Sequence, residues 1–239
     1  PLSSGIDRDL ARDMPRYGMK FYLACLCAFL VIRIDLLMVN YFNGMTEAGI
    51  YSVAVGFADL LYMLPIAIGT ILFPRIARDQ AGEGGLTLMA CRFAVVLMGA
   101  VCLAAALLAK PMIHLLYGSA FTDSVRPLLW LLPGVFVLSL EAIVANDLAG
   151  RGYPAVLVVY WCVGLLLNIG LNLMLIPRWG ATGAAAASTV TYAVMSVLVF
   201  RRFFTESGAN WRLVFVLNSP DVRRLYDTAR SLLVSRHVG

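Results

Sequence analysis

The stretch CLCAFLVIRIDLLMVNYF, residues 25–42, decides how this chain is read. It is apolar almost throughout, yet it carries Arg33 and Asp35 two positions apart. On a helix, two positions are about 200° of rotation, so the two side chains leave opposite faces and do not neutralise each other. An ionisable group in mid-bilayer costs roughly 2.5–3.5 kcal/mol on insertion scales. Each of the two therefore needs a partner on another helix or a wet cavity.

The composition puts this stretch in a membrane. Of 239 residues, 61% are hydrophobic and only 14% are charged, and the mean hydropathy is +0.82. A soluble domain carries about a quarter charged residues, so polar surface is too scarce here to wrap a water-soluble core. Six apolar runs follow one another: Tyr17–Phe42, Ala48–Ile76, Leu86–Ala109, Val125–Leu148, Pro154–Ile176 and Gly180–Phe204. Each is near the ~20 residues that cross a hydrocarbon core as a helix. Unpaired backbone groups are not tolerated in lipid, and the short alternating strands of an outer-membrane barrel are absent from the sequence. The expected fold class is an all-α integral membrane protein with a six-transmembrane-helix lobe.

Short connections separate the runs: NGMTEAG, RDQAGEGG, the longer KPMIHLLYGSAFTDS, GRGY and PRW. The long one is expected to hold a short interfacial helix. Pro65 and Pro133 fall inside runs, where a missing N–H predicts a kink. With the N-terminus placed in the cytoplasm, the inside segments carry fifteen Lys and Arg and the outside segments three. That bias predicts cytoplasmic N- and C-termini. It also accounts for most of the net charge of +5 without any nucleic acid. The domain reading is a cytoplasmic segment 1–16, a membrane lobe 17–204 and a basic tail 205–239. In the tail, Ser219, Pro220 and Asp221 open an amphipathic helix at about 220–235, with Arg223, Arg224 and Arg230 suited to anionic head groups. Pro1 is not an initiator methionine, which suggests a processed piece or a fragment.

The polar residues inside the runs are few. Arg33 lies about nine residues before the first turn and Asp59 about eleven after it. Their depths differ by about 3 Å at a rise of 1.5 Å per residue, which makes an interhelical pair plausible. Asp35 is left to face a lumen or to find a partner elsewhere. Glu141, toward the cytoplasmic half of the fourth run, is a candidate for coupling to H⁺ or Na⁺. Asn168 and Asn172 share one face of the fifth run, either lining a cavity for sugar hydroxyls or bonding between helices. GATGAAAAST opens the sixth run with small residues suited to close packing. The five cysteines, Cys25, Cys27, Cys91, Cys102 and Cys162, all lie in apolar runs and read as small packers, without metal-ligand spacing. There is no P-loop and no catalytic constellation, so the chain reads as a non-enzyme without cofactors or metal.

Several stretches together resemble one family. RIDLLMVNYFNGMTEAGIYSVAVGFADLLYMLPIAIGTILFPRIA resembles the opening helix pair of one lobe of a Wzx-like polysaccharide-repeat flippase. That branch belongs to the multidrug/oligosaccharidyl-lipid/polysaccharide exporter superfamily. KPMIHLLYGSAF, PLLWLLPGVF, NDLAGRGYP and GATGAAAAS then follow in the order that family shows. The resemblance implies two six-helix lobes around a central cavity, of which this chain supplies one, the C-terminal lobe. It implies transport of an undecaprenyl-pyrophosphate-linked oligosaccharide repeat across the bacterial cytoplasmic membrane. The implied partners are the bilayer, the lipid-linked glycan, a second lobe, and glycan polymerase and glycosyltransferases. Arg33 matches a motif position and would hold the pyrophosphate; Asp35, Asn168 and Asn172 stay lumen candidates on the reading of the residues alone. Two other readings stay open. One is a cation-coupled drug antiporter or peptidoglycan-precursor flippase of the same superfamily. The other is a non-transporting scaffold for glycan-assembly enzymes.

Overall fold

The computed structural model describes residues 8–78, 85–150 and 154–208. These form four long helices: α1 (Arg8–Arg78), α2 (Gly85–Tyr117), α3 (Val125–Gly150) and α4 (Pro154–Ser207). A 3₁₀ helix, Ser119–Ser124, joins α2 to α3. No strand occurs among the described residues. The four stretches Leu26–Pro65, Thr87–Tyr117, Ser119–Ala149 and Val156–Ser207 are each long and apolar enough to cross a membrane. The amphipathic helix expected at 220–235 and the GRGY turn beyond Gly150 lie outside the described residues.

Two of these stretches are too long for a single straight crossing. A rise of 1.5 Å per residue would extend the 40-residue and 52-residue stretches to about 60 and 78 Å, against a core of about 30 Å. The chain resolves this at two glycines. Gly44 (φ 84°, ψ 177°) interrupts α1 and Gly180 (φ 55°, ψ −135°) interrupts α4. Positive φ is open to glycine because it has no Cβ. Contacts across each break prove that the chain doubles back. Arg33 meets Asp59, and Asp35 meets Tyr51, across Gly44. Gly164 lies against Met195, and Gly183 against Leu175, across Gly180. Each of α1 and α4 is thus a pair of packed arms. The turns anticipated as NGMTEAG and PRW shrink to one non-helical residue each. Pro65, Pro133 and Pro177 lie in helical backbone, so the departures from helical φ/ψ occur at the glycines and not at the two prolines expected to kink.

The small residues that open the second arm of α4 determine how tightly it packs. Ala181 and Gly183–Ser188 are all buried. At Gly183 a Cβ would stand 2.3 Å from the Leu175 carbonyl oxygen, so the two arms touch backbone to side-chain position. The two breaks also lie side by side. The Ala181 N–H donates to Glu47 Oε2 at 3.3 Å, an acceptor at the N-terminus of the second arm that supports both orphan donor and helix dipole. The core runs the length of the bundle. One cluster joins Val39, Tyr51 and Phe57 of α1 to Met98, Ile113, Leu128, Leu132, Ile176 and Ala184. Another joins Cys91, Ile143, Leu148, Val199 and Phe203 at the opposite ends of α2, α3 and α4. α2 continues past Pro111 to Tyr117, so the expected interfacial helix is realised as the last turns of α2 plus the 3₁₀ segment. Exposed Tyr41, Phe42, Tyr117, Trp130 and Trp179 flank the glycine breaks and this segment, the placement of an interfacial aromatic belt.

Candidate functional site: the intramembrane polar cluster

Folding α1 back at Gly44 brings the charged residues of its two arms to one level. Arg33 Nη2 lies 2.7 Å from Asp59 Oδ2, and the two side chains are 41% and 34% exposed. The contact engages one nitrogen of a guanidinium that carries five donors. An ion pair this open to its surroundings is neither sealed in the packing nor dispersed in water.

Asp35, on the other side of the same arm, is placed differently. It is 1% exposed and its carboxylate is enclosed by donors. Tyr51 Oη donates to Oδ2 at 2.5 Å, Ser188 Oγ donates to the same oxygen at 2.9 Å, and the Leu36 N–H donates to Oδ1 at 2.7 Å. Of the two expectations for Asp35, a lumen or a partner elsewhere, the geometry supplies the partner. The carboxylate joins both arms of α1 to the second arm of α4. A buried carboxylate is stable only when hydrogen-bonded, and this one has donors from two other segments.

Asn168 and Asn172 continue the cluster. Both are fully buried. Asn172 Nδ2 donates to Asn168 Oδ1 at 2.8 Å, and Asn168 Nδ2 points to Ser188 Oγ and Thr191 Oγ1 at 3.4 and 3.5 Å. Of the two readings of these amides, cavity lining or bonding between helices, the geometry gives the second: Asn168 reaches from the first arm of α4 to the second, and Asn172 bonds to Asn168. Glu141 on α3 is also buried, and its Oε1 has no hydrogen-bond partner among the described residues. Arg33 and Asp59 thus come together, Asp35 joins the amides through Ser188, and Glu141 stands on another helix.

A small cavity lies between these groups. Asp35, Tyr51, Asp59, Tyr62 and Tyr192 supply its polar lining, and Val55, Leu131 and Leu138 are among its apolar walls. Its volume is about 20 Å³, room for a water molecule and nothing larger. This cavity is too small to hold a sugar. Arg33 and Asp59 are the charged members of the cluster that remain accessible.

The sequence reading missed Tyr51, Ser188, Thr191, Tyr62 and Tyr192 as members of this cluster. A signal for the first was present. The depth argument that paired Arg33 with Asp59 also pairs Asp35, nine positions before Gly44, with Tyr51, seven after it. Ser188 was noticed only as a small packing residue.

Comparison with known proteins bears on the family and the fold. The family model described as "Polysaccharide biosynthesis protein" matches residues 2–126. An uncharacterized membrane protein of Methanocaldococcus jannaschii is 22% identical over 194 residues, which are 79% of this chain and 38% of that protein. The "Probable low-salt glycan biosynthesis flippase Agl15" of Haloferax volcanii is 20% identical over 193 residues, 79% of this chain and 41% of its own length. Among solved structures, an outward-facing multidrug resistance transporter of the MATE family in the MOP superfamily superposes with a TM-score of 0.68. It shares 17% identity, and the match covers 86% of this chain and 48% of that one. The lipid II flippase MurJ in an inward closed conformation gives a TM-score of 0.65 at 15% identity, covering 86% and 50%. At these identities the likeness is one of fold. The chain spans about two-fifths of the length of the curated relatives it matches and about half of each transporter.

Proposed function

The chain belongs to the polysaccharide biosynthesis protein family, and from that premise we propose that it forms one lobe of a lipid-linked oligosaccharide flippase. The cargo in this reading is an oligosaccharide repeat on undecaprenyl pyrophosphate, moved across the bacterial cytoplasmic membrane by alternating access. The lobe has six crossings, because the arms of α1 and of α4 each count as two, and both of its termini are cytoplasmic. A second six-helix lobe completes the central cavity, in line with the half-length match to two transporters. The glycan flippase among the relatives supports the cargo class.

The observation that carries the substrate reading is Arg33. It is a half-exposed guanidinium within an apolar span, beside a cavity too small for a glycan. A guanidinium suits a pyrophosphate because its planar fork donates two hydrogen bonds at once. Asp59 holds that fork in place until the diphosphate takes over the free donors. Asp35, Asn168 and Asn172 act behind this surface by fixing the arms that present it.

The test uses the full-length protein. Arg33→Ala abolishes surface glycan while the protein stays in the membrane at normal abundance. Normal surface glycan from that variant would overturn the binding role. The exchanged pair, R33D with D59R, separates binding from register. It restores a salt bridge, so the lobe folds, but it moves the cation to another arm and leaves export defective. Full export from the exchanged pair would mean that the two residues only set helix register.

A further inference from the structure

Cys27 and Cys162 are 135 positions apart in sequence, yet their Sγ atoms lie 3.4 Å apart. Both are free thiols. Cys27 sits on the first arm of α1 and is buried, whereas Cys162, on the first arm of α4, is partly exposed. Cys27 precedes Gly44 by 17 residues and Cys162 precedes Gly180 by 18. At 1.5 Å per residue both thiols are therefore about 26 Å from the glycine breaks, near the far boundary of a core about 30 Å thick. Two unrelated segments thus bring a buried thiol and a more accessible one together at the edge of the membrane.

We propose that Cys27 and Cys162 are an oxidisable dithiol, closing to a reversible disulfide that ties α1 to α4. A disulfide needs about 2.05 Å between sulfurs, so the two atoms have to approach by about 1.4 Å. The oxidant class is an organic hydroperoxide, which partitions into the bilayer where the pair resides. The Cys162 sulfur attacks the outer peroxide oxygen, the O–O bond breaks, and an alcohol leaves with a sulfenic acid on Cys162. The Cys27 sulfur then attacks that sulfur, the S–S bond forms, and the sulfenic oxygen departs as water. Two thiols lose two electrons, the peroxide gains them, and both thiol protons end on the alcohol and the water. Cys162 is the attacking thiol because it is the more exposed, and Cys27 resolves because it lies behind it. A bond here clamps the first arms of α1 and α4 together, so a change in the redox state of the membrane changes the stiffness of the lobe.

The experiment treats membranes holding the full chain with cumene hydroperoxide, quenches free thiols with a maleimide, and maps peptides by mass under non-reducing conditions. The expected result is a fall from five free thiols to three, a linked Cys27–Cys162 peptide, and full recovery with dithiothreitol. Cys162→Ala keeps all four of its remaining thiols under the same treatment, whereas Cys27→Ser forms no disulfide and loses only the Cys162 thiol, as a sulfenic acid that dimedone traps. The proposal is overturned if the wild-type count stays at five, if in the wild type either cysteine oxidises singly to sulfinic or sulfonic acid, or if Cys27 pairs with Cys25 instead. The wild-type mapping decides the matter even if a variant fails to fold. No part of the readout depends on what the lobe transports.

Discussion

Replacing Gly183 with alanine tests the central packing feature of α4. A Cβ at this position would stand 2.3 Å from the Leu175 carbonyl oxygen, 2.7 Å from its carbon and 3.1 Å from the Ile176 nitrogen. All three obstacles are backbone, so no side chain can rotate out of the way. To restore ordinary contact the two arms must separate by about 1 Å, which pulls on Asn168, Ser188 and Thr191 as well. Overpacking a tight core costs about 1–3 kcal/mol, and a backbone obstacle belongs at the upper end. Alanine returns about 1 kcal/mol of helix propensity relative to glycine. The net expectation is a loss of about 2 kcal/mol. Gly170 supplies the control, since it sits in the same helix with nothing within 4 Å of its Cβ position. Gly170→Ala should gain about 1 kcal/mol, so the two substitutions should differ in sign. The assay is reversible denaturation of the purified full-length protein in detergent, with both variants measured against wild type. Equal midpoints for the two variants would refute the close approach of the α4 arms.

Ser188→Ala removes one of the donors to the buried Asp35 carboxylate, and leaving a buried polar group under-satisfied costs about 1–3 kcal/mol; the same denaturation assay should register that loss, and an unchanged midpoint would show that Asp35 does not depend on α4. Glu141→Gln tests the buried carboxylate on α3 whose Oε1 is unpartnered among the described residues. If this residue couples transport to an ion gradient, the variant keeps its stability while export loses its response to collapse of that gradient, read as surface glycan with and without an ionophore. Export that responds as in wild type would remove Glu141 from the coupling role.

Much of the fold can be read from hydropathy because the spans are set by a physical length. The apolar runs fall within four long helices, two of them broken at Gly44 and Gly180, and the small residues after Gly180 do pack closely. What hydropathy does not encode is which side of each helix meets protein. Lipid is as apolar as leucine, so exposed Leu37 and Leu166 look the same in sequence as buried Val39 and Met98. For the same reason Asn168 and Asn172 could be assigned to a shared face but not to the inside of the lobe. Arg33 and Asp59 could be matched because depth, unlike facing, follows from counting residues to a turn. Asp35 was left without a partner because that count was not carried to Tyr51, and because Ser188, 153 positions away, is reached only through tertiary packing. The glycine breaks were hidden by their neighbours: NGMTEAG and PRW read as loops, while the folded chain keeps helical geometry up to a single residue.

The central claim is that this lobe, within its full-length protein, moves a lipid-linked glycan between leaflets. The most direct measurement places the purified full-length protein in vesicles loaded on one leaflet with a polyprenyl-pyrophosphate-linked oligosaccharide. Appearance of the glycan on the other leaflet is followed with an impermeant lectin or glycosidase. The account predicts protein-dependent transfer that is lost in Arg33→Ala. A leaflet distribution identical to that of empty vesicles would contradict it.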